Sequence, residues 1–167
     1  MTALSLPAAE SAGHPLDLVE RIIADQHWPF DRHEDDELAV GVAGSYCEYQ
    51  MWFSWNDEKS ALQVCCAFDM KVQEAKRSQV YSLIGHINEQ LWIGHFELGA
   101  DSGPPLYRYT FLAGDDAPLS ATAITGVIEE ALRICERFYP AFQFVVWGGK
   151  SVTEAIAAVM LETAGEA

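Results

Sequence analysis

Cys47-Glu48-Tyr49-Gln50-Met51-Trp52-Phe53-Ser54-Trp55 decides the fold. Cys47, Tyr49, Met51, Phe53 and Trp55 alternate with Glu48, Gln50, Trp52 and Ser54. A period of two puts one set on a buried face and the other on an outer face, as an extended strand requires. Trp52 is the large apolar residue in the polar phase. After the polar turn Asn56-Asp57-Glu58-Lys59, a second strand is read at 61–68, where Leu62, Val64, Cys66 and Phe68 alternate with Ala61, Gln63, Cys65 and Ala67. Both of its phases are short or apolar, which suits a central strand. Upstream, 28–33 and 38–42 read as short strands around the acidic turn Glu34-Asp35-Asp36-Glu37, and Gly44-Ser45 turns into the quoted strand. Turns this short join antiparallel neighbours.

The period changes on either side of this meander. Pro15 suits the first turn of a helix, and Leu16, Val19, Ile22 and Ile23 supply its apolar stripe. Pro29 disfavours helix at Trp28 and ends it. Downstream, Val72, Val80, Leu83, Ile84, Ile87 and Leu91 mark a helix over roughly 73–91. Segments 92–98 and 106–112 form a hairpin, with Tyr107, Tyr109 and Phe111 on one face of its second strand. Ser120 caps a long helix striped by Ile124, Val127, Ile128, Ala131, Leu132, Cys135 and Phe138. Pro140 kinks or restarts it, and 141–147 is apolar all round. Gly148-Gly149 breaks the chain. Ser151-Val152-Thr153-Glu154 is a capping box that opens a last helix reaching about residue 162. The expected fold is α+β, a mostly antiparallel sheet with helices packed on one face, in the order α-ββββ-α-ββ-α-α. A flexible N-terminus, 1–14, precedes a single domain, 15–166.

The chain has 167 residues, 50% hydrophobic and 21% charged, enough to bury a core without disulfides or a metal. No run of roughly 18 apolar residues suggests a membrane span. The opening Met1-Thr2-Ala3-Leu4-Ser5-Leu6-Pro7 lacks the basic and apolar regions of a signal peptide. Cys47, Cys65, Cys66 and Cys135 show no CxxC spacing, which suits a reducing cytoplasm. Twenty-five acidic against ten basic residues give a net charge of −15. Phosphate binding needs basic clusters, so nucleic acid and anionic membrane are excluded as partners.

Motifs for chemistry are absent from the pattern. Gly148-Gly149-Lys150-Ser151 resembles the end of a phosphate loop, but the loop's first glycine would stand where Phe144 is, and no strand precedes it. The segment reads instead as a helix–turn–helix. His14, His27, His33, His86 and His95 have no ligand spacing, so no metal or other cofactor is expected. Cys135 falls on an apolar helix stripe, and Cys47 and Cys66 on apolar strand phases; Cys65 is the cysteine expected to face solvent. The acidic turn 34–37 lacks the spacing of a calcium loop. No catalytic residue is assigned, and the chain is not expected to be an enzyme. The aromatic surplus carries the remaining signal. Trp52, Phe138, Phe142, Phe144 and Trp147 are candidate interface residues. Trp92, Tyr107, Tyr109 and Phe111 are candidates to line a small-molecule pocket between the sheet and the C-terminal helices.

Three stretches also resemble a known family: Ala67-Phe68-Asp69-Met70-Lys71-Val72; Ile87-Asn88-Glu89-Gln90-Leu91-Trp92-Ile93-Gly94-His95-Phe96-Glu97-Leu98; and Cys135-Glu136-Arg137-Phe138-Tyr139-Pro140-Ala141-Phe142 running on to Trp147-Gly148-Gly149-Lys150-Ser151. They are similar to the YbjN family of bacterial sensory transduction regulators, across 15–166. That resemblance implies a fold like that of type III secretion chaperones, small acidic cytoplasmic proteins that dimerise and hold partner polypeptides along a sheet and helix surface. It implies a homodimer acting as a chaperone-like or regulatory adaptor for a protein partner; the alternative is a small-molecule-binding regulator. For the dimer contact, the helical segment 138–147 is favoured over the Trp52 strand, because its apolar excess is larger.

Overall fold

A computed structural model describes residues 13–101, 103–114 and 118–165. Most of the expected flexible N-terminus, residues 1–12, lies outside them. The described chain runs α1 (Pro15–Asp25), β1 (Phe30–His33), β2 (Glu37–Ala43), β3 (Glu48–Asn56), β4 (Ala61–Ala67), α2 (Glu74–Asn88), β5 (His95–Leu98), β6 (Pro105–Leu112), α3 (Ala121–Val146) and α4 (Val152–Gly165). This is the element order the periodicities call for. The six strands form one sheet in the order β1-β2-β3-β4-β6-β5, and every pairing is antiparallel.

Register places the alternating residues in rows. Phe30, Val40, Met51, Cys66, Tyr107 and Phe96 lie side by side across all six strands. Most of this row is buried, together with Leu16, Val19 and Ile23 of α1, Leu83 and Ile87 of α2, Phe138 and Phe142 of α3, and Ala155 and Val159 of α4. The neighbouring row of Ala39, Trp52, Cys65, Arg108 and His95 points to the other face. The core sits between the sheet and the helices, with aromatic contacts at its centre. Phe68 meets Tyr139, Phe142 and Phe96 at centroid distances of 5.0, 5.1 and 5.8 Å, mostly edge to face.

The caps explain the helix limits. His14 Nδ1 accepts from the Leu16 amide at 3.2 Å before Pro15. Ser120 Oγ accepts from the Ala123 amide at 3.1 Å. At the end of α3, the Gly148 amide donates to the Gln143 carbonyl and the Lys150 amide to the Phe144 carbonyl, both at 3.0 Å. The Ser151 amide and hydroxyl both donate to Glu154 Oε2 at 2.8 Å, closing the capping box.

Several boundaries differ from the sequence reading, among them the end of α2, at Asn88 rather than 91. Pro140 does not restart α3, which runs through it as one helix. Its missing N–H costs the ladder one bond, and the buried neighbours Tyr139, Ala141 and Phe142 hold the turn in place. β1 starts at Phe30 rather than 28, because His27 takes φ +59° and Pro29 follows. β5 starts at His95 rather than 92. Gly94 takes φ +65° there, packed so closely under the Tyr107 phenol that no Cβ would fit. Among the described residues no helix is long and apolar enough to cross a membrane.

Candidate functional site

The face of the sheet turned away from the helices carries Trp52, half-buried against a small cluster of Cys65, Ala67 and Leu106. Cys65 is therefore not the solvent-facing thiol its strand phase suggests; it is fully buried. Trp52 stands beside it on β3 and Arg108 beside it on β6, the latter ion-paired with Glu97. Burial pushes the Cys65 thiol up to about 11. Cys47 is the partly exposed cysteine, and burial raises its pKa as well. Burial also holds the Cys135 thiol well above its ordinary value. These shifts disfavour the thiolate and so oppose nucleophilic chemistry. Among the described residues no group of three His, Cys, Asp or Glu side chains is placed to hold a metal.

The polar groups converge instead at the β2–β3 turn, where it meets α3. The Gly44 amide donates to the Cys47 carbonyl at 2.9 Å. The Ser45 amide donates to Glu136 Oε1 at 2.7 Å, fixing the carboxylate against the turn. Tyr46 stacks on Tyr139 with centroids 5.4 Å apart and an interplanar angle of 12°. A Cβ at residue 44 would overlap the Tyr49 ring and the Glu136 carboxylate, so this close approach requires glycine. Tyr49 is fully buried and its hydroxyl has no hydrogen-bond partner. Burial, and then the nearby Glu136 charge, raise its pKa far above the ordinary phenol value. Val42, Gly44, Ser45, Tyr49, Leu132 and Glu136 line a shallow cleft of about 320 Å³.

A second cleft of about 320 Å³ lies on the outer face, lined by residues including Pro29, Asp31, Ala39, Gly41, Glu48 and Gln50. The two clefts flank one stretch of backbone. β1 pairs with β2 only as far as Val40. The Gly44–Cys47 bond sets the alternation of the β2–β3 ladder, so Gly41 and Ala43 turn their amides and carbonyls away from β3. On that side the register sets Pro29 opposite Gly41, offering a carbonyl but no N–H, and only Ala43 lies beyond it. At the other edge of the sheet the side chain of Asn88 fills this role. Its Nδ2 donates to the Phe96 carbonyl at 3.0 Å and its Oδ1 accepts from the Phe96 amide at 2.7 Å.

The residues singled out from sequence are scattered. Phe138 and Phe142 are 1% and 0% exposed, so these two residues of segment 138–147 belong to the chain's own core. Phe144 is half-buried beneath the Lys150 ammonium, 4.4 Å from the ring centroid. Trp147 is exposed where α3 ends. The pocket quartet does not assemble either. Tyr107, Tyr109 and Phe111 do share the helix-facing side of β6. Tyr107, however, is fully buried, its hydroxyl donating to the Ile93 carbonyl at 2.7 Å, and Tyr109 packs on Phe111 with centroids 4.8 Å apart. Trp92 stands wholly in solvent. Glu136, Ser45 and Tyr49 escaped the sequence reading. Glu136 looks like one charge on a solvated helix face, and nothing local shows that the β2–β3 turn lands on it.

Comparison with known proteins bears on the same chain. A family model, YbjN, described as "Putative bacterial sensory transduction regulator", matches residues 15–144. Among solved structures, the crystal structure of YbjN, "a putative transcription regulator from E. coli", is similar in fold. It shares 10% sequence identity at a TM-score of 0.50, with 90% of this chain and 92% of that chain covered. A search of curated proteins finds no match.

Proposed function

The chain belongs to the YbjN family, and from that premise we propose that it is a regulatory adaptor that binds a protein partner and performs no catalysis. The observation that carries this reading is the sheet face opposite the helices, bearing Trp52 half-buried in its middle. Aromatic residues on an otherwise small and polar surface are what interface centres are made of. A net charge of −15 favours a basic partner and speeds its approach. Free cysteines without a framework suit a reducing cytoplasm. A homodimer would use this face too, since Phe138 and Phe142 of the competing helical segment are spent on the core.

A photo-crosslinking residue at position 52, or at the exposed Tyr81 position of α2, tests the reading in cells. A discrete partner adduct from position 52 and none from position 81 supports it. Absence of any protein adduct at position 52, with the protein folded, overturns it.

A further inference from the structure

We propose that the cleft between the β2–β3 turn and α3 is a binding site for a small aliphatic primary amine, taken up as its ammonium ion. The cleft lies on the helix side of the sheet, apart from Trp52, so it can be occupied whatever the outer face binds. Its acceptors are already in place. Glu136 Oε1 accepts from the Ser45 amide at 2.7 Å. That bond fixes the carboxylate and leaves Oε2 free, and among the described residues no lysine or arginine pairs with it. Tyr49 lines the same cleft, is fully buried, and its hydroxyl has no hydrogen-bond partner. A buried hydroxyl left without a partner is costly and calls for a reason. Glu136 stands near enough to help burial raise the Tyr49 pKa, yet not within bonding reach of its hydroxyl. Gly44 lets the two approach, since a Cβ there would meet both the Tyr49 ring and Glu136 Oε1. Ala43 adds an acceptor at the rim, because its carbonyl turns away from β3 beyond the last β1 pairing.

These acceptors and their one full negative charge select the ligand. An alkylammonium group brings N–H donors, no acceptor and a positive charge. An anion would meet Glu136 with like charge. A divalent metal would find a single carboxylate, too little for the oxygen shell it requires. Val42 and Leu132 supply the apolar part of the lining and suit a short methylene chain. A cleft of about 320 Å³ has room for a molecule of that size.

The test titrates pentylammonium chloride into the full chain and follows its backbone amide resonances. Tetramethylammonium chloride is the control, since it has the charge and no N–H to donate. Saturable shifts at residues 43–45 and 136 with pentylammonium, and none with tetramethylammonium, are expected. Glu136→Gln keeps a carbonyl for the Ser45 amide and loses the charge, and it should weaken binding at least about tenfold. Tyr49→Phe removes an oxygen that has no partner in the free protein. It should weaken binding several-fold and leave Tm unchanged or higher, which loss of a merely structural hydroxyl would not do. Glu129→Gln, an exposed acid of α3 outside the cleft, should bind like wild type. Should Glu136→Gln fail to fold, Tyr49→Phe against Glu129→Gln decides alone. Shifts that never saturate, equal shifts with tetramethylammonium, or equal affinity in every variant overturn the proposal. So does tighter binding of Nα-acetyl-lysine amide than of pentylammonium, which would assign the cleft to a lysine of a partner protein.

Discussion

At the scale of single residues, most of the polar side chains that matter stand in for missing backbone. Asn88 pairs with Phe96 as a neighbouring strand would. Asn88→Ala leaves a donor and an acceptor without partners, and we expect it to cost about 1–3 kcal/mol in urea unfolding. Faster amide exchange at Phe96 would mark the lost bond. Glycines divide by what surrounds them. Gly44→Ala drives a methyl into Tyr49 and Glu136, and overpacking of that kind costs about 1–3 kcal/mol. Gly126 sits exposed inside α3 with nothing within 4 Å of a built Cβ. Gly126→Ala should therefore raise stability by about 1 kcal/mol through helix propensity alone. Opposite signs for the two glycines in one denaturation series check both claims. The cysteines give a further readout. Native alkylation followed by mass spectrometry should modify Cys47 first and leave Cys65, Cys66 and Cys135 protected until unfolding, in line with their burial.

Among the elements, α4 owes its start to four residues. Glu154 accepts from the Ser151 amide and hydroxyl, and its pKa is lowered chiefly by the backbone bond. Its folded pKa lies below the unfolded one. Its stabilising share is therefore full above the ordinary carboxylate range and disappears as pH falls through the lowered value. The advantage of wild type over Glu154→Gln should be present near about pH 7 and shrink in thermal scans as pH falls through the lowered value. A gap that persists in acid would show that the charge is not what caps the helix. This box was legible in Ser151-Val152-Thr153-Glu154, as was the element order, because periods of two and 3.6 leave unmistakable marks on β3, α1 and α3. Less legible was what depends on neighbours distant in sequence. Pro140 reads as a kink or a restart, yet Phe138 and Phe142 bury on both sides of it and carry one helix through. Cys65 reads as exposed, yet Trp52 and Arg108 close over it from adjoining strands. The cleft was hidden for the same reason, since Glu136 and Ser45 are 91 positions apart.

Across the whole molecule, charge sets a balance that neither residues nor elements reveal. A net charge of −15 is carried by 167 residues, a fold with a radius of gyration of about 15 Å. In about 0.01 M salt the screening length is roughly 30 Å, longer than that radius, so the excess acids repel one another across the molecule. In about 0.15 M salt it falls to roughly 8 Å, and only near neighbours interact. Self-repulsion disfavours the compact state more than the expanded one. Moving from about 0.01 to about 0.15 M sodium chloride at pH 7 should therefore raise Tm, with most of the rise complete by the upper concentration. Sodium and potassium chloride should act alike over this range, because screening depends on ionic strength and not on which salt supplies it. A flat or falling Tm would mean that the fold has dispersed its acids well enough to avoid the penalty. Association with a basic partner must respond with the opposite sign. Screening removes the attraction between that partner and the excess acids, so the on-rate should drop over the same range. Salt that stabilises the protein while slowing its partner separates the two effects of one charge distribution. An on-rate insensitive to salt would deny the partner its positive charge.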